Sequence, residues 1–397
     1  MQIGLLGKAN VGKSTFFSAA TEAAVAIGNY PFTTIEPNVG VTYVRTKCAC
    51  KHFGIKHDNP LCVDGIRLVP VKLIDVAGLV PGAHEGKGLG NKFLDDARQA
   101  EVLIHVVDVA GTTDIQGQPV PPGTHNPLED VEFVGNEFDQ WFKQILDREW
   151  QKLVREITQK TATLSDGIAK RFSGLGVREF DVSGVLKESG LGTKKSSEWT
   201  DSDLLLFVKK LRKKIKPLLI AANKADLCRD LRIVDEIKKS NHVVVCSAES
   251  ELLLRKAAKA GLIKYLPGDS TFEILNPDGL NLQQKQALSL VKTVLEKIKT
   301  TGVQEALNYA AFDLLKFITV YPVEDETKLS NKDGTVLPDA RLLPVGSTAK
   351  DLAATIHADL AKGFLHAVDA KTKQRISADH KLGDGDVIKI VSTMSRG

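Results

Sequence analysis

Residues 7–14 (Gly-Lys-Ala-Asn-Val-Gly-Lys-Ser) combine two glycines, a lysine and a hydroxyl residue at the spacing of a phosphate-binding loop. Glycines let the backbone wrap closely round phosphates, and the N-terminus of a following helix adds partial positive charge. In this pattern Lys13 reaches the β- and γ-phosphates, and the Ser14 hydroxyl holds Mg²⁺. A glycine-rich turn with an incidental lysine is the disfavoured alternative. The residues predicted to surround the phosphates are Gly7, Asn10, Val11, Gly12, Lys13, Ser14 and Thr15.

Residues 75–78 (Asp-Val-Ala-Gly) follow an apolar segment at 71–74. An aspartate at this position can hold the magnesium shell, and the Gly78 N–H can sense a γ-phosphate. The motif is short and weak by itself. It gains weight if 71–74 is a strand of the same sheet as the strand before the phosphate loop, and we then expect Asp75 to be a magnesium ligand.

Residues 223–226 (Asn-Lys-Ala-Asp) follow the apolar segment 218–222 and have the pattern of a guanine-reading motif. The Asp226 carboxylate can accept two hydrogen bonds from guanine N1–H and N2–H₂, and adenine lacks that donor pair. Residues 247–249 (Ser-Ala-Glu) follow the segment 243–246 and can offer a backbone N–H to guanine O6. A plain polar turn is the disfavoured alternative. The residues predicted to read the base are Asn223, Lys224, Asp226, Ser247, Ala248 and Glu249.

Short apolar segments alternate with helical patterns, which predicts an α/β fold with a mostly parallel sheet covered on both faces. The segments are 3–6, 71–74, 102–107, 218–222 and 243–246. The stretch between the third and fourth is too long for an ordinary connection, so it predicts an insertion. Apolar spacing in that insertion indicates an αα-hairpin with a looser middle at 165–197. The predicted units are 1–128 with 217–315 for a split sheet domain, 129–216 for the helical insertion, and 316–397 for a small α+β domain.

The composition excludes several classes of protein. Among 397 residues, 53 are basic and 49 acidic, and a net charge of +4 argues against a surface coated with basic residues for nucleic acid. No apolar run approaches the ~18 residues of a membrane span. Five cysteines, a small odd number, suit a reducing compartment. We therefore expect a cytoplasmic protein without a membrane span.

The run 209–216 is rich in lysine and arginine and could contact RNA phosphates. The favoured alternative is that these charges face the acidic start of the insertion in an antiparallel helix pair, or are solvated.

In this order the motifs resemble those of a translation-factor-class small GTPase. Residues 29–38 (Asn-Tyr-Pro-Phe-Thr-Thr-Ile-Glu-Pro-Asn) are similar to the first switch of the Obg-like GTPases, especially their YchF branch. The glycine-rich segment 78–91 is similar to that family's second switch, and a helical insertion before the Asn-Lys-x-Asp motif is a trait of the YchF branch. Residues 343–348 and 382–387 resemble parts of a TGS domain. The resemblance implies a P-loop GTPase fold with a C-terminal ubiquitin-like TGS domain.

The same resemblance implies a function: a Mg²⁺-dependent nucleotide switch that hydrolyses GTP to GDP and acts on ribosomes or ribosomal RNA. The alternative is a nucleotide sensor, with ATP as an option, in which hydrolysis is incidental. YchF-branch proteins often have glutamate at the base-reading position, which is linked to ATP use. This chain has Asp226, which favours GTP.

Catalytic roles are also implied by the resemblance. Thr34 is expected to close over magnesium. Leu79 stands where many GTPases have a water-orienting glutamine, so hydrolysis is expected to be slow or to use another group. His84 is one candidate for positioning the water, and K⁺ bound near Asn10 is another source of positive charge; a solvated histidine and an ordinary turn asparagine are the alternatives.

The segment 47–66 contains Cys48, Cys50, His52, His57 and Cys62. Three thiolates and one imidazole would suit zinc. The Cys-x-Cys spacing is less regular than Cys-x₂-Cys, however, and favours the alternative of reduced loop cysteines and solvated histidines.

Overall fold

The computed structural model describes residues 1–22, 38–76 and 96–393. Thr34, Gly78 and His84 lie outside these ranges, so their roles remain predictions.

A seven-stranded sheet forms the centre of the chain. Its strands are β1 (Gln2–Leu6), β2 (Val39–Lys47), β3 (Cys62–Val63), β4 (Ile66–Asp75), β5 (Val102–Asp108), β6 (Leu218–Asn223) and β7 (His242–Val245). The strand order is β2-β4-β1-β5-β6-β7, with β3 paired to β4. All seven residues of β5 are buried, as expected of a strand covered on both faces. The predicted α/β architecture with a mostly parallel sheet is confirmed.

The parallel strands bring the predicted motifs to one edge. Strands β4, β1, β5, β6 and β7 pair in parallel, so their carboxyl ends point the same way. The phosphate loop follows β1, Asp75 ends β4, Asn223 ends β6 and Ser247 lies just after β7. Because ligands of open α/β sheets bind outside the carboxyl ends of the strands, this edge is where a site is expected.

Helices cover the sheet and fill the insertion. The helices near the sheet are α1 (Lys13–Thr21), α2 (Cys50–Phe53), α8 (Arg232–Lys238), α9 (Ala248–Lys259), α10 (Leu282–Ile298) and α11 (Val303–Asn308). Those of the insertion are α3 (Pro127–Asp147), α4 (Trp150–Thr158), α5 (Leu164–Arg171), α6 (Glu179–Ser189) and α7 (Asp201–Ile215). A short hairpin of β8 (Ile263–Lys264) and β9 (Glu273–Ile274) precedes α10.

The prediction of a two-helix hairpin with a loose middle was wrong. The predicted first helix of the hairpin, whose apolar residues run from 138 to 157, is divided into α3 and α4, and the middle contains α5 and α6. Helix α5 has eight residues and buries only Ile168 and Ala169 among its larger apolar positions, too few for a periodic signal. Helix α6 buries Val182, Val185 and Leu186 at helical spacing, so it carried a signal that the sequence reasoning missed. Left-handed glycines at 176 and 190 end local helical segments. The short helices depend on tertiary packing, which a single sequence does not display.

The basic run at the end of α7 is largely paired within the insertion. Arg212 Nε lies 2.9 Å from Asp139, and Lys210 lies 2.9 Å from Glu188. Lys216 is buried and donates to backbone carbonyls at 98 and 100. The structure therefore favours internal pairing over an exposed RNA-binding run, as the alternative interpretation expected.

The C-terminal part builds its own five-stranded sheet in the order β11-β10-β14-β12-β13. Its strands are β10 (Phe317–Val323), β11 (Arg341–Pro344), β12 (Phe364–Asp369), β13 (Arg375–Ile376) and β14 (Val387–Ser392), with helices α12 (Ala349–Ile356) and α13 (Ala358–Lys362). This is the expected small α+β unit. The limits of the three units remain predictions.

Within the ranges that the structure describes, no helix combines the length and the apolar character needed to cross a membrane.

One buried histidine lies in the middle of the sheet. His105 on β5 is 1% exposed, and its Nδ1 has no hydrogen-bond partner among the described residues. Burial, with a smaller contribution from the Lys8 charge, lowers the pKa of His105 to about 3. The imidazole is therefore neutral in the folded chain at every pH near neutrality.

The lowered pKa of His105 predicts that the free energy of unfolding depends on pH. Below pH 6.5 the unfolded chain takes up a proton that the folded chain refuses until about pH 3. Stability should therefore fall as the pH falls through this window, by up to about 1.4 kcal/mol per pH unit from this group. His105→Leu should flatten the dependence relative to the parent protein. Urea unfolding between pH 7 and pH 4.5, followed by circular dichroism, measures it.

The matched control is His380→Leu, the same change at an exposed position. Parallel curves for His105→Leu and the parent protein would contradict the prediction.

Candidate nucleotide-binding site

The phosphate loop has the backbone that its glycines predict. Gly7 and Gly12 have φ of 155° and 91°, and Asn10 has φ of 62°. A Cβ atom at Gly12 would lie 2.4 Å from the Asn223 amide nitrogen, so glycine is required there for close approach as well as for its backbone angle. Helix α1 begins at Lys13, directly after this loop. The loop and the helix N-terminus together offer backbone N–H groups to an anion.

Asn223 joins three loops at the carboxyl edge of the sheet. Its side chain is 2% exposed. The amide nitrogen donates to the Val11 carbonyl at 3.0 Å, and the amide oxygen accepts from the Ala248 N–H at 3.0 Å. The predicted phosphate loop and the predicted base-reading loops are therefore held together by one buried side chain.

The predicted base-reading residues divide into buried supports and exposed groups. Ser247 is fully buried and caps α9 by accepting from the Ser250 N–H at 3.4 Å. Asp226 and Glu249 are exposed. The Ala248 N–H is used by Asn223, so in this structure it positions Asn223. Its predicted contact with guanine O6 remains a prediction.

Lys13 and Asp75 form a partly buried ion pair, with side chains 14% and 19% exposed. Lys13 starts α1, and Asp75 ends β4 opposite Leu5 of β1. The predicted phosphate-binding cation and the predicted magnesium ligand thus meet at one point. Ser14, on the first turn of α1, is exposed on this edge of the sheet.

Asp108 is a site residue that the sequence reasoning missed. It ends β5, is fully buried and accepts from the Lys224 ammonium at 3.0 Å. It also accepts from the hydroxyls of Thr112 and Thr113 at 2.6 and 3.0 Å. Asp108 therefore fixes the lysine of the base-reading motif. The sequence offered one signal for Asp108: like Asp75, it stands at the end of an apolar strand.

Lys8 is a second residue that the sequence reasoning missed. It stands at a position of the phosphate-loop pattern where any residue is allowed. Its side chain is 4% exposed, and its ammonium lies 2.8 Å from each oxygen of Asp130, which is 2% exposed. His125 Nε2 also lies 2.9 Å from Asp130. Asp130 is in the first turn of α3, so this buried pair ties the phosphate loop to the helical insertion. No sequence signal links residues 122 positions apart.

Asn10 holds the loop on its other side. Its amide nitrogen donates to the Gly117 carbonyl at 3.0 Å. A cation would bind the amide oxygen, because only that atom is an acceptor. The predicted potassium contact stays a prediction.

The buried Lys8–Asp130 pair predicts a large and asymmetric mutational effect. Lys8→Met leaves a buried carboxylate without its cation and should lower the free energy of unfolding by about 3–5 kcal/mol. The double change Lys8→Met with Asp130→Leu should be less destabilising than Lys8→Met alone. Urea unfolding followed by circular dichroism measures all three proteins.

Lys170→Met is the control, because Lys170 pairs with Asp166 while 70% exposed. It should lower the free energy of unfolding far less than Lys8→Met does, because water screens an exposed pair. An equal loss for the Lys8 and Lys170 variants would contradict the assignment.

Three family models match separate parts of the chain. Residues 2–130 match a model described as 50S ribosome-binding GTPase. Residues 221–325 match the model Obg-like GTPase YGR210-like, G4 motif-containing domain. Residues 334–392 match the TGS domain model. The unmatched stretch between the first two contains most of the helical insertion.

Relatives match along nearly the whole chain. An uncharacterised GTP-binding protein of Methanocaldococcus jannaschii is 49% identical, with 98% of each chain covered. The ribosome-binding ATPase YchF of Pasteurella multocida is 31% identical, covering 92% of this chain and 86% of the relative. A crystal structure of a GTP-binding protein from Pyrococcus horikoshii OT3 is 42% identical with a TM-score of 0.76, covering 99% of this chain and 100% of that chain. This chain belongs to the YchF family of Obg-like GTPases, with a G domain and a C-terminal TGS domain.

Proposed function

We propose that this protein binds GTP with Mg²⁺, hydrolyses it slowly to GDP, and acts as a nucleotide-dependent switch on ribosomes in the cytoplasm. The observation that carries the proposal is the buried Asn223 side chain, which joins the phosphate loop to the base-reading loops. A nucleotide bound along this edge would have its phosphates at one loop and its base at the others.

The phosphate end suits a magnesium nucleotide. Lys13 would contact the phosphates, and the oxygens of Ser14 and Asp75 are the hard ligands that Mg²⁺ prefers. The direct contact between Lys13 and Asp75 supports this, because a metal–phosphate group bound between them would satisfy both charges. Thr34 would complete the shell. When bound, Mg²⁺ would neutralise the charge that develops on the β- and γ-phosphates.

The base end favours guanine. Asp226 is exposed beside the buried Asn223 and Ala225, where its carboxylate can face a ligand. The relatives at 49% and 42% identity are named GTP-binding proteins, whereas relatives at 31% and 27% are named ATPases. ATP is therefore the alternative nucleotide, and the carboxylate of Asp226 is the feature that favours GTP.

Nucleotide preference tests the base-reading assignment. GDP should bind at least about a hundredfold more tightly than ADP, because adenine would leave the carboxylate unpaired. Asp226→Ala should bring the two affinities within about tenfold of each other, mainly by weakening GDP. Calorimetric titration of the purified chain with GDP, GTP, ADP and ATP measures this.

The matched control is Asp230→Ala. This change, four residues after Asp226, removes an exposed carboxylate that is paired with Arg232. It should keep the preference for guanine. Tighter binding of ATP than of GTP would overturn the assignment in favour of the alternative nucleotide.

The groups proposed for hydrolysis lie partly outside the described residues. His84 is proposed to position the attacking water, and K⁺ beside Asn10 is proposed as a second source of positive charge. Leu79 cannot orient water by a hydrogen bond, which is why a slow intrinsic rate is proposed.

The ribosome is proposed from the relatives and the family model. The YchF proteins of Pasteurella multocida and Buchnera aphidicola are named ribosome-binding, and the model that matches residues 2–130 is described in the same terms. The basic run 209–216 is a weak candidate for the contact, since its charges are largely paired internally. The TGS domain is the second proposed contact. Ribosome binding also supports a cytoplasmic location.

Turnover tests the switch against the sensor. Without a partner the rate should be on the order of 10⁻³ per second, the range of GTPases that lack a complete catalytic set. Ribosomal subunits should raise the rate at least tenfold, and Lys13→Met should abolish turnover, while Lys170→Met should not. Phosphate release in K⁺ buffer, with and without subunits, measures these rates.

Binding to subunits without any rise in turnover would instead support the sensor. Neither binding nor stimulation would contradict the ribosomal part of the proposal.

A further inference from the structure

The segment between β2 and β4, residues 48–65 and here called the arm, brings together four soft ligand side chains. Cys48, Cys50, His57 and Cys62 each place a ligand atom within 4.8 Å of the other three. Cys48 and Cys50 are buried, while His57 and Cys62 are half-buried. The sequence interpretation had favoured reduced loop cysteines, because Cys-x-Cys spacing is irregular. The fold brings the four ligand atoms together, although the spacing of the cysteines in the sequence did not indicate this.

The backbone of this arm fixes the ligand positions. Cys48 follows the end of β2, and its N–H donates to the Gly65 carbonyl at 2.9 Å. Asp64 and Gly65, with φ of 51° and 79°, make the two-residue turn between β3 and β4. Left-handed angles at both positions are typical of a type I′ hairpin, whose register is rigid. Cys50 is thus presented by the short helix α2 and Cys62 by a tight hairpin, while Cys48 follows β2 and His57 lies in the segment between α2 and β3.

Two of the separations between ligand atoms match those around a single tetrahedral ion, and the others are no longer than 4.8 Å. Zinc bonded at about 2.3 Å to sulfur and about 2.0 Å to nitrogen separates two sulfurs by about 3.8 Å, and sulfur from nitrogen by about 3.5 Å. Cys50 Sγ and Cys62 Sγ are 3.9 Å apart, and Cys48 Sγ lies 3.6 Å from His57 Nε2. A disulfide would need sulfurs about 2.0 Å apart. A two-iron cluster would spread its ligands over two metals, further apart than these atoms are.

A buried cation beside the cluster supplies charge balance. Arg67 is 1% exposed and is the cross-strand partner of Cys62. Its guanidinium donates to the Leu337 and Pro338 carbonyls, but its Nε has no hydrogen-bond partner and no ion pair joins it to a carboxylate in 1–22, 38–76 or 96–393. Three thiolates and a divalent ion carry a net charge of −1. A buried positive charge without a carboxylate is stabilised by such a centre.

We propose that Cys48, Cys50, His57 and Cys62 bind one structural Zn²⁺ ion. Four protein ligands close the tetrahedron, so the site has no open position for substrate. Coordination through Nε2 places the His57 proton on Nδ1. A protonated Nδ1 no longer accepts a hydrogen bond, so the long 3.4 Å hydrogen bond from the Asn59 backbone N–H is lost when the metal binds.

The metal stiffens the arm that contacts the C-terminal domain. Asn59 Nδ2 donates to the Leu337 carbonyl at 2.9 Å, and the Tyr321 hydroxyl donates to the Lys47 carbonyl at 3.2 Å. Arg67 lies over the Tyr321 ring, 5.9 Å from its centre. The contact residues Lys47, Asn59 and Arg67 therefore lie close to the proposed ligands in the sequence.

Metal analysis of the full chain, untagged and purified without chelators, tests the proposal. The protein should contain about one zinc per chain, falling below about a tenth of that in Cys50→Ser and Cys62→Ser. Cys228→Ser is the matched control, because Cys228 is buried outside the cluster and donates to backbone carbonyls that a serine can also reach. It should retain one zinc.

The histidine offers a sharper comparison. His57→Ala should lose zinc, while His52→Ala, an exposed histidine in the same arm but outside the cluster, should keep it. His57→Cys should restore binding, because four thiolates also form a zinc site. A chain that lost zinc only through misfolding would not regain it this way.

Cobalt offered as the sole metal should give the visible absorption of a tetrahedral thiolate site in the parent chain and lose it in Cys62→Ser. Absence of zinc in the parent protein, or equal zinc in the parent and the three ligand variants, would overturn the proposal. Iron with a coloured cluster would overturn the identity of the metal.

Discussion

The carboxyl edge of the central sheet depends on the hydrogen bonds of Asn223. Its amide nitrogen holds the Val11 carbonyl, and its oxygen holds the Ala248 amide, both within a water-excluded space. An unmade hydrogen bond at a buried amide is costly, so this side chain couples the conformations of the two loops. Gly12 is part of the same constraint, because a side chain there would displace Asn223. The phosphate loop and the predicted base-reading loops are thereby held at a fixed separation.

Two ion pairs, each with a buried carboxylate, connect this edge to the rest of the chain. The Lys8–Asp130 pair links the phosphate loop to the insertion, and the Asp108–Lys224 pair links the loop after β5 to the base-reading motif. Buried ion pairs contribute little net stability, but losing one partner is expensive, so they define a single arrangement. The insertion is therefore attached to the nucleotide site through a charged contact as well as by its apolar core.

Much of the fold and site could be predicted because both depend on local patterns. Apolar runs bounded by turn residues predicted the strands of the sheet, and motif order placed Lys13, Asp75 and Asn223 on one edge. The short helix α5 could not be predicted, since it buries too few side chains to show a period. Helix α6 was missed although Val182, Val185 and Leu186 keep helical spacing. Asp108 and Lys8 were missed because their partners are distant in sequence. The sequence did not favour a metal site at the cysteines, because the spacing of ligands along the chain says little about their positions when a hairpin brings them together.

The sequence alone predicted the chemistry of the nucleotide site, because the phosphate loop and the base-reading motif are short segments whose glycine, lysine and carboxylate positions act locally. It also determined the family through the order of those segments. Tertiary structure decided which charges are paired and buried, which lysines of 209–216 are engaged within the insertion, and which cysteines meet His57. Those outcomes depend on contacts between residues far apart in the chain, and only the packed sheet and its helices bring such residues within bonding distance.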